Sequence, residues 1–492
     1  VKSSRAALVL LLLLVPLSRA VPALSSGAVF STDSWPLIRL AQLLATDPCT
    51  KLLDLNTHHA KWPLAVLFSL VYTGITRVDV YTFYAFLGPP LLTLALALLL
   101  YALLGRLTSG LPRALALLAL LVYPSFAIFT SAYLKEVYAY PVAAAFLLAV
   151  AKGRVKWPGV FVAALALVLA HPLASLMVLA SMATYIFIKL VEKVKLATAI
   201  SLKQYKGVFV ATLLLASLYL MHVLHVGLPY TLSAPDVAAL AAYTTSLYLT
   251  YLVLYADVWG FSAATAVAFL VSAAAYASAV EGVAIDLGVL PYGLPLLTLI
   301  FAFYKPEVDQ ADAAASLLLP LGVGVLYALT YARWLADVVH RLLNYLVFPL
   351  ALGLAAAAKA KPRAALILAL LAANGCIALY RASMGDDPIL FYWRYTAADL
   401  ALKSFLEGHA VKPVPASVKY SYMLGEESSG GLLAPRAFLT CSPAGRGFLA
   451  VGRGDLVHGV PLSPTHRLKP ARNVFECSGV VFNSAENYLL VR

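Results

Sequence analysis

"VYTFYAFLGPPLLTLALALLLYALL", Val80 to Leu104, contains no Asp, Glu, Lys or Arg. A helix rises about 1.5 Å per residue, so ~20 apolar residues cross the ~30 Å hydrocarbon core of a bilayer. This stretch is long enough, whereas a membrane β-strand would be a short segment of alternating polarity. The rest of the chain repeats the pattern. Of its 492 residues, 62% are hydrophobic and 12% charged, and the mean hydropathy is +0.86. That composition excludes an ordinary soluble domain and predicts an α-helical polytopic membrane protein.

Further spans are expected at about 114–131, 138–151, 157–170, 173–188, 207–226, 237–256, 261–280, 287–304, 313–331, 342–358 and 364–380. With a first anchor these make about 12–13 transmembrane helices. Alternate loops carry the basic residues, among them Arg106, Arg113, Arg154, Lys193, Lys305 and Lys359, as the positive-inside bias requires of the cytoplasmic face. The net charge of +13 is spread over these short clusters. No single basic stripe with interleaved aromatics exists, so nucleic acid is not an expected partner and membrane lipids are.

Four regions follow. Residues 1–24 are a signal-anchor or signal peptide, with Ser18-Arg19-Ala20 as a candidate cleavage site. Residues 25–79 form a first extracytoplasmic loop, in which the apolar 62–74 segment is expected to lie along the surface. Residues 80–380 are the membrane domain. Residues 381–492 form a small mixed α/β or β-rich extracytoplasmic domain, where Thr396 and Asp399 set up a variant capping box before an amphipathic helix. The expected location is the plasma membrane, multi-pass, with the N-terminus cytoplasmic if uncleaved. Cys49, Cys376, Cys441 and Cys477 show no metal-ligand spacing, and Cys441 and Cys477 have the compartment to pair but no readable distance.

Candidate chemistry lies at the outer ends of the spans, where an ionisable group is hydrated, paired or used. Asp33, in "STDSW", reads either as a general base or metal ligand beside the bilayer, or as a helix N-cap. His58 and His59, near Asp54, are sugar-hydroxyl or metal partners, or an exposed loop. Glu136, after Lys135, either faces the same cavity as Asp33 or anchors the interface among tyrosines. His171 is a turn residue or a cavity-facing donor. His222 and His225 have ligand-pair spacing without a third ligand. Arg333, Asp337 and Arg341 share a helical face, either as a ladder of ion pairs or as guanidinium groups for an anionic headgroup.

An acid straight after the first span ("STDSWPLIRLAQ"), the segment "KWPLAVLFSLVYTG", a Lys-Glu in "YLKEVYAYP", about a dozen spans and an outer C-terminal domain resemble the GT-C class of polytopic glycosyltransferases. That class includes protein mannosyltransferases, aminoarabinose transferases of lipid A and oligosaccharyltransferases. The likeness covers the chain in layout and is specific only through about Tyr140; the Ala/Leu/Val-rich spans add an archaeal impression. It implies a polyprenyl-phosphate sugar donor, a lipid, protein or glycan acceptor, and inverting transfer at the extracytoplasmic face. By position Asp33 matches the first-loop acid and Glu136 an acid of the second outer loop. The reading of the residues themselves adds Arg333 or Arg341 to meet the phosphate and His58, His59 and His171 to bind substrate. A divalent cation, Mg or Mn, is the cofactor in question, but Asp33 lacks the adjacent second acid, which leaves metal dependence unassigned. No Trp-Trp-Asp signature is present, which favours a single sugar or short glycan over en bloc transfer.

The alternative class is a polytopic transporter or lipid flippase. It predicts charged or broken helices near mid-membrane, in paired halves. Here the middles of the spans are nearly free of ionisable residues, so an ion path is poorly supported by the sequence.

Overall fold

A computed structural model describes residues 2–55, 57–151, 156–195, 205–227, 232–253, 308–332, 336–358, 361–384, 390, 393–409, 417–425, 448–458, 460–461, 467–468, 479–484 and 487–491. These residues are overwhelmingly helical. Five helices are long and apolar enough to cross a membrane: Arg5–Ser26, Val80–Leu104, Pro172–Lys193, Lys206–Val226 and Asp309–Tyr331. The spans expected at 261–280 and 287–304 lie outside the described residues.

The helix Lys2–Ser26 shows why this bundle belongs in lipid. Leu11, Val15 and Arg19 recur every four residues and are buried. Leu10, Leu13, Leu17, Val21 and Leu24 are exposed on its other side. The period of 3.6 residues separates these two faces, and apart from Arg19 both are apolar. Water would demand polar groups on the outer face; hydrocarbon does not.

Two expected spans are broken, each for a local reason. The 114–131 region forms three short helices, Gly110–Ala116, Leu118–Val122 and Pro124–Phe129. Pro124 has no N–H and holds the preceding Tyr123 in an extended conformation (φ −78, ψ 108). The carbonyl of Leu120, four residues before the proline, thereby loses its helical donor. Arg19 Nη2 donates to it, and Arg19 Nη1 donates to Ser18 Oγ at 2.7 Å. A fully buried arginine in the first span is thus partnered by a carbonyl that a proline released.

The 342–358 region is likewise divided, into Ala336–Asn344 and Val347–Ala357. The first break is tied to this second one. Tyr123 Oη donates to the carbonyl of Leu343 at 2.9 Å, and Ser125 Oγ donates to Asn344 Oδ1 at 2.7 Å. These bonds fix the end of the helix that carries Arg341.

The helix expected from residue 138 begins earlier, as Lys135–Ala151, and packs on Val80–Leu104 and Trp157–Ala170. Its approach is set at Gly88, where a Cβ would meet Tyr133 Cδ2 at 2.4 Å. The 62–74 segment departs from the surface reading at its start: Trp62 is fully buried, and Leu64–Thr76 packs on Ser34–Thr46. Leu67, Val71 and Ile75 leave an exposed apolar stripe on that helix. Elsewhere, Pro172–Lys195 and Val308–Leu326 are joined by buried Lys189, whose Nζ donates to Glu192 Oε2 at 2.9 Å and to Asp312 Oδ2.

The described tail holds helices Ala397–Gly408 and Val418–Leu424 and the strands β1 (Phe448–Gly452), β2 (Val460–Pro461), β3 (Arg467–Leu468), β4 (Gly479–Asn483) and β5 (Asn487–Val491). Strands β1, β5 and β4 make an antiparallel sheet in that order. Such short strands do not make the described tail β-rich. The capping box is present, with the N–H of Thr396 donating to Asp399 Oδ2 at 2.8 Å. Asp399 also accepts from Tyr420 Oη at 3.0 Å, Asn487 Nδ2 at 2.9 Å and Lys419 Nζ at 2.9 Å. This buried knot joins the tail's helices to its sheet. Cys441 and Cys477 lie outside the described residues, while Cys49 and Cys376 are free and exposed.

Candidate functional site

The chain places Asp33 at the entrance of the helix Ser34–Thr46, but the carboxylate makes no capping bond there. Asp33 thus holds the N-cap position, but its side chain does not cap the helix. Its Oδ2 instead accepts from Arg341 Nη2 at 2.9 Å, across most of the sequence. The cause lies two residues upstream. Buried Ser31 has φ +90, a left-handed conformation uncommon outside glycine, and its Oγ accepts from the N–H of Asp33 at 3.3 Å.

Glu136 occupies the first turn of its helix, just before the expected 138–151 span. Tyr140, four residues on and so on the same face, donates from Oη to Glu136 Oε1 at 2.9 Å. Oε2 has no hydrogen-bond partner among the described residues, and Arg341 Nη1 lies 4.0 Å from it. Arg341 therefore stands between two carboxylates from separate parts of the chain. Exposure separates their roles: the Asp33 and Arg341 side chains are each 30% exposed and Glu136 is 1% exposed. A ligand can reach the first two, and Glu136 backs them. The interfacial-anchor reading of Lys135-Glu136 fails, because both side chains are buried.

Burial pushes the Glu136 carboxyl up to about 7, against the pull of Arg341 and of the Tyr140 and Tyr345 hydroxyls. Lys135 is displaced the other way. Burial, reinforced by Arg341 and opposed by Asp33, brings its ammonium down to about 7. Lys135 Nζ donates to the carbonyl of His58 at 3.1 Å and lies 5.9 Å from the centre of the Trp62 ring. Two cationic side chains thus face two carboxylates, and the buried member of each kind, Lys135 and Glu136, is driven toward its neutral form. The charges a ligand meets are those of Asp33 and Arg341.

His58 and His59 start the short helix His58–Lys61, capped by Thr57, whose Oγ1 accepts from the N–H of Ala60 at 3.1 Å. His58 is exposed, yet surrounding protein and the neighbouring Lys135 and Arg341 hold its imidazole well below the usual range. Its ring lies 5.0 Å from that of Trp62, which in turn lies 5.7 Å from His222. His222 Nε2 is 3.0 Å from the carbonyl of Lys61, so it belongs to a helix-to-loop contact. His59 is partly buried and is also held low, first by burial and then by Lys135.

His171 ends the helix Trp157–Ala170 in an extended conformation and is 3% exposed. Its Nδ1 has no hydrogen-bond partner among the described residues, and burial, then Lys135, Arg341 and His58, hold the ring neutral. The structure thus gathers Asp33, Glu136, Arg341, His58, His59 and His171 in one region. Arg333 lies outside the described residues, and of the expected row of charges the described side chain is that of Arg341. Lys135 and Tyr140 join the site without having been assigned to it. Tyr140 was legible in its spacing from Glu136; the burial of Lys135 was not.

A divalent cation does not fit these donors. The position between Asp33 and Glu136 is filled by a guanidinium, and no three His, Cys, Asp or Glu side chains converge among the described residues. Metal ligation needs such a set with open coordination positions. No protein-family model matches the chain, and no curated protein matches it.

Proposed function

We propose that the chain is a membrane glycosyltransferase of GT-C type that moves a sugar from a polyprenyl-phosphate donor to a lipid, protein or glycan acceptor at the extracytoplasmic face. The observation that carries this reading is the convergence of Asp33, Arg341 and Glu136 from three separate segments, with only the first two accessible. An accessible acid beside an accessible guanidinium is what proton removal and phosphate departure require of one site.

In the proposed reaction an acceptor hydroxyl attacks the anomeric carbon. Its proton passes to Asp33, the C–O bond to the phosphate breaks, and the polyprenyl phosphate leaves with the bonding electron pair toward Arg341. A single displacement inverts the anomeric centre. Glu136 and Tyr140 position Arg341, while His58, an exposed neutral ring, serves the sugar as a hydrogen-bonding group. The apolar exterior of the bundle supplies the surface along which a polyprenyl chain reaches the site. The mixed tail is read as an extracytoplasmic domain covering it, and the plasma membrane as the location.

Transfer of radiolabel from polyprenyl-phosphate sugars to membrane acceptors by the purified protein tests this. Label in an acceptor supports the reading; none from any donor class, with the protein folded, overturns it. One observation favours the transporter reading, namely the buried Lys189, Glu192 and Asp312 between two spans, with two acids for one base. Substrate uptake into vesicles driven by a pH gradient and abolished by Asp312→Asn would establish that function instead.

A further inference from the structure

We propose that the tail segment Trp393–Tyr395 is the positioning element of Asp33, holding the strained turn that aims its carboxylate at Arg341. The inference rests on Asp33 being the base of the proposed transfer. Phe30 and Arg394 face each other as an isolated antiparallel bridge. The N–H of Ser31 donates to the carbonyl of Trp393 at 2.7 Å, which makes Phe30 and Arg394 the non-hydrogen-bonded pair of that bridge. The bond fixes the backbone at Ser31, where φ is +90 and a side chain is strained.

Strain of this kind persists only where neighbours over-determine it, and here the neighbours come from the tail. The Trp393 ring sits edge-on to Phe30 at 5.9 Å and lies 6.0 Å from Phe129. Arg394 Nη2 reaches back to the carbonyl of Ser25 at 3.3 Å. Downstream of Asp33 the grip continues. Tyr395 packs on Trp35 at 5.5 Å, and Arg39 Nη1 donates to the carbonyl of Tyr422. The tail thus holds both flanks of Asp33, while the carboxylate's ion pair is with Arg341. The tail is a fixed wall of the site and does not lift away in turnover.

Two variants test this. In a Phe30→Cys, Arg394→Cys protein the two Cα atoms stand about 4.5 Å apart, within disulfide range, so mild oxidation joins positions 30 and 394. The peptide link is read by mass spectrometry. The expected result is a link in most molecules and a transfer rate within about threefold of the reduced protein. No link, or activity lost on oxidation and restored by reduction, overturns the proposal. In Trp393→Ala, hydrogen exchange across residues 29–37 rises, while that of the Val80–Leu104 helix stays unchanged. Its kcat falls about 10–100-fold with the donor KM unmoved, as expected when a base is misplaced by about an ångström. Unaltered exchange at 29–37, or a change confined to KM, overturns the proposal. Should Trp393→Ala fail to fold, the crosslink decides. Should no transfer be found even in the parent protein, the link and the exchange still report whether the tail grips this turn, which separates this inference from the glycosyl-transfer reading.

Discussion

Replacing Glu136 by glutamine removes a titration that lowers the protein's stability as pH rises, the direction opposite to that of an ion-paired carboxylate whose pKa is depressed. Glu136 is 1% exposed, one oxygen accepts from Tyr140, and Arg341 lies 4.0 Å from the other, with the Tyr345 hydroxyl also acting on the carboxyl. Burial outweighs the arginine and raises the carboxyl from 4.5 to about 7. Across that interval the folded protein holds more protons than the unfolded chain. Stability therefore falls as pH rises from about 4.5 to about 7 and levels off above it. At ~1.4 kcal/mol per pH unit, the interval corresponds to about 3 kcal/mol.

Glutamine has nearly the shape of the protonated acid and does not titrate. Glu136→Gln is thus expected to match the parent protein at pH 5 and to exceed it by about 3 kcal/mol at pH 8. With an unfolding entropy of roughly 2 cal/mol/K per residue, a chain of this length shifts its midpoint by about 3 °C. The assay is the thermal midpoint of both proteins in the same detergent from pH 5 to 8, read as the difference between them. A difference that does not change with pH, or a variant less stable at pH 8, would refute the reasoning. It would mean that Arg341 holds Glu136 as an anion despite its burial.

Lys135→Met probes the opposite titration. The native amine is brought down to about 7 from 10.5, so the parent protein gains stability relative to the variant as pH rises from 7 to 9.5, by ~3 kcal/mol in midpoint measurements. Arg19→Met leaves the carbonyl of Leu120 without its donor and costs about 1–3 kcal/mol; adding Pro124→Ala, which restores an N–H four residues on, recovers part of that loss in a double-mutant cycle. Gly452→Ala places a Cβ 2.2 Å from Tyr420 Oη and costs about 1–3 kcal/mol through the Asp399 knot, seen as faster proteolysis of the tail. Ser31→Gly relieves the φ of +90 and is neutral or stabilising by up to ~1 kcal/mol in thermal midpoints, where glycine in an extended turn would ordinarily cost stability.

Membrane helices were legible because hydropathy and length act locally. Val80–Leu104 is present with the expected bounds, and Lys206–Val226 with its start one residue early. The breaks in 114–131 and 342–358 were harder to read. Pro124 announces the first, but the second depends on Tyr123 and Ser125 reaching it from another helix. Site residues were legible as charges at the ends of apolar runs, which explains Asp33, Glu136 and Arg341. Their partners were not. The pairing of Asp33 with Arg341 and the hold of Trp393 on Ser31 join residues hundreds of positions apart, and only packing determines such distances. Lys135 resembled a surface anchor because sequence does not show that the short helix His58–Lys61 closes over it.

The central claim is that Asp33 performs chemistry. Its pair with Arg341 is partly exposed, so Asp33→Asn costs at most about 1 kcal/mol of stability and leaves a folded protein. The decisive measurement is the initial rate of sugar transfer from radiolabelled polyprenyl-phosphate donors by the parent protein and by Asp33→Asn at matched thermal midpoints. A rate lowered about 10²–10⁴-fold, with the donor still bound, is the expected result. An active parent protein whose Asp33→Asn variant transfers sugar at an unchanged rate would contradict it and reduce Asp33 to a structural partner of Arg341.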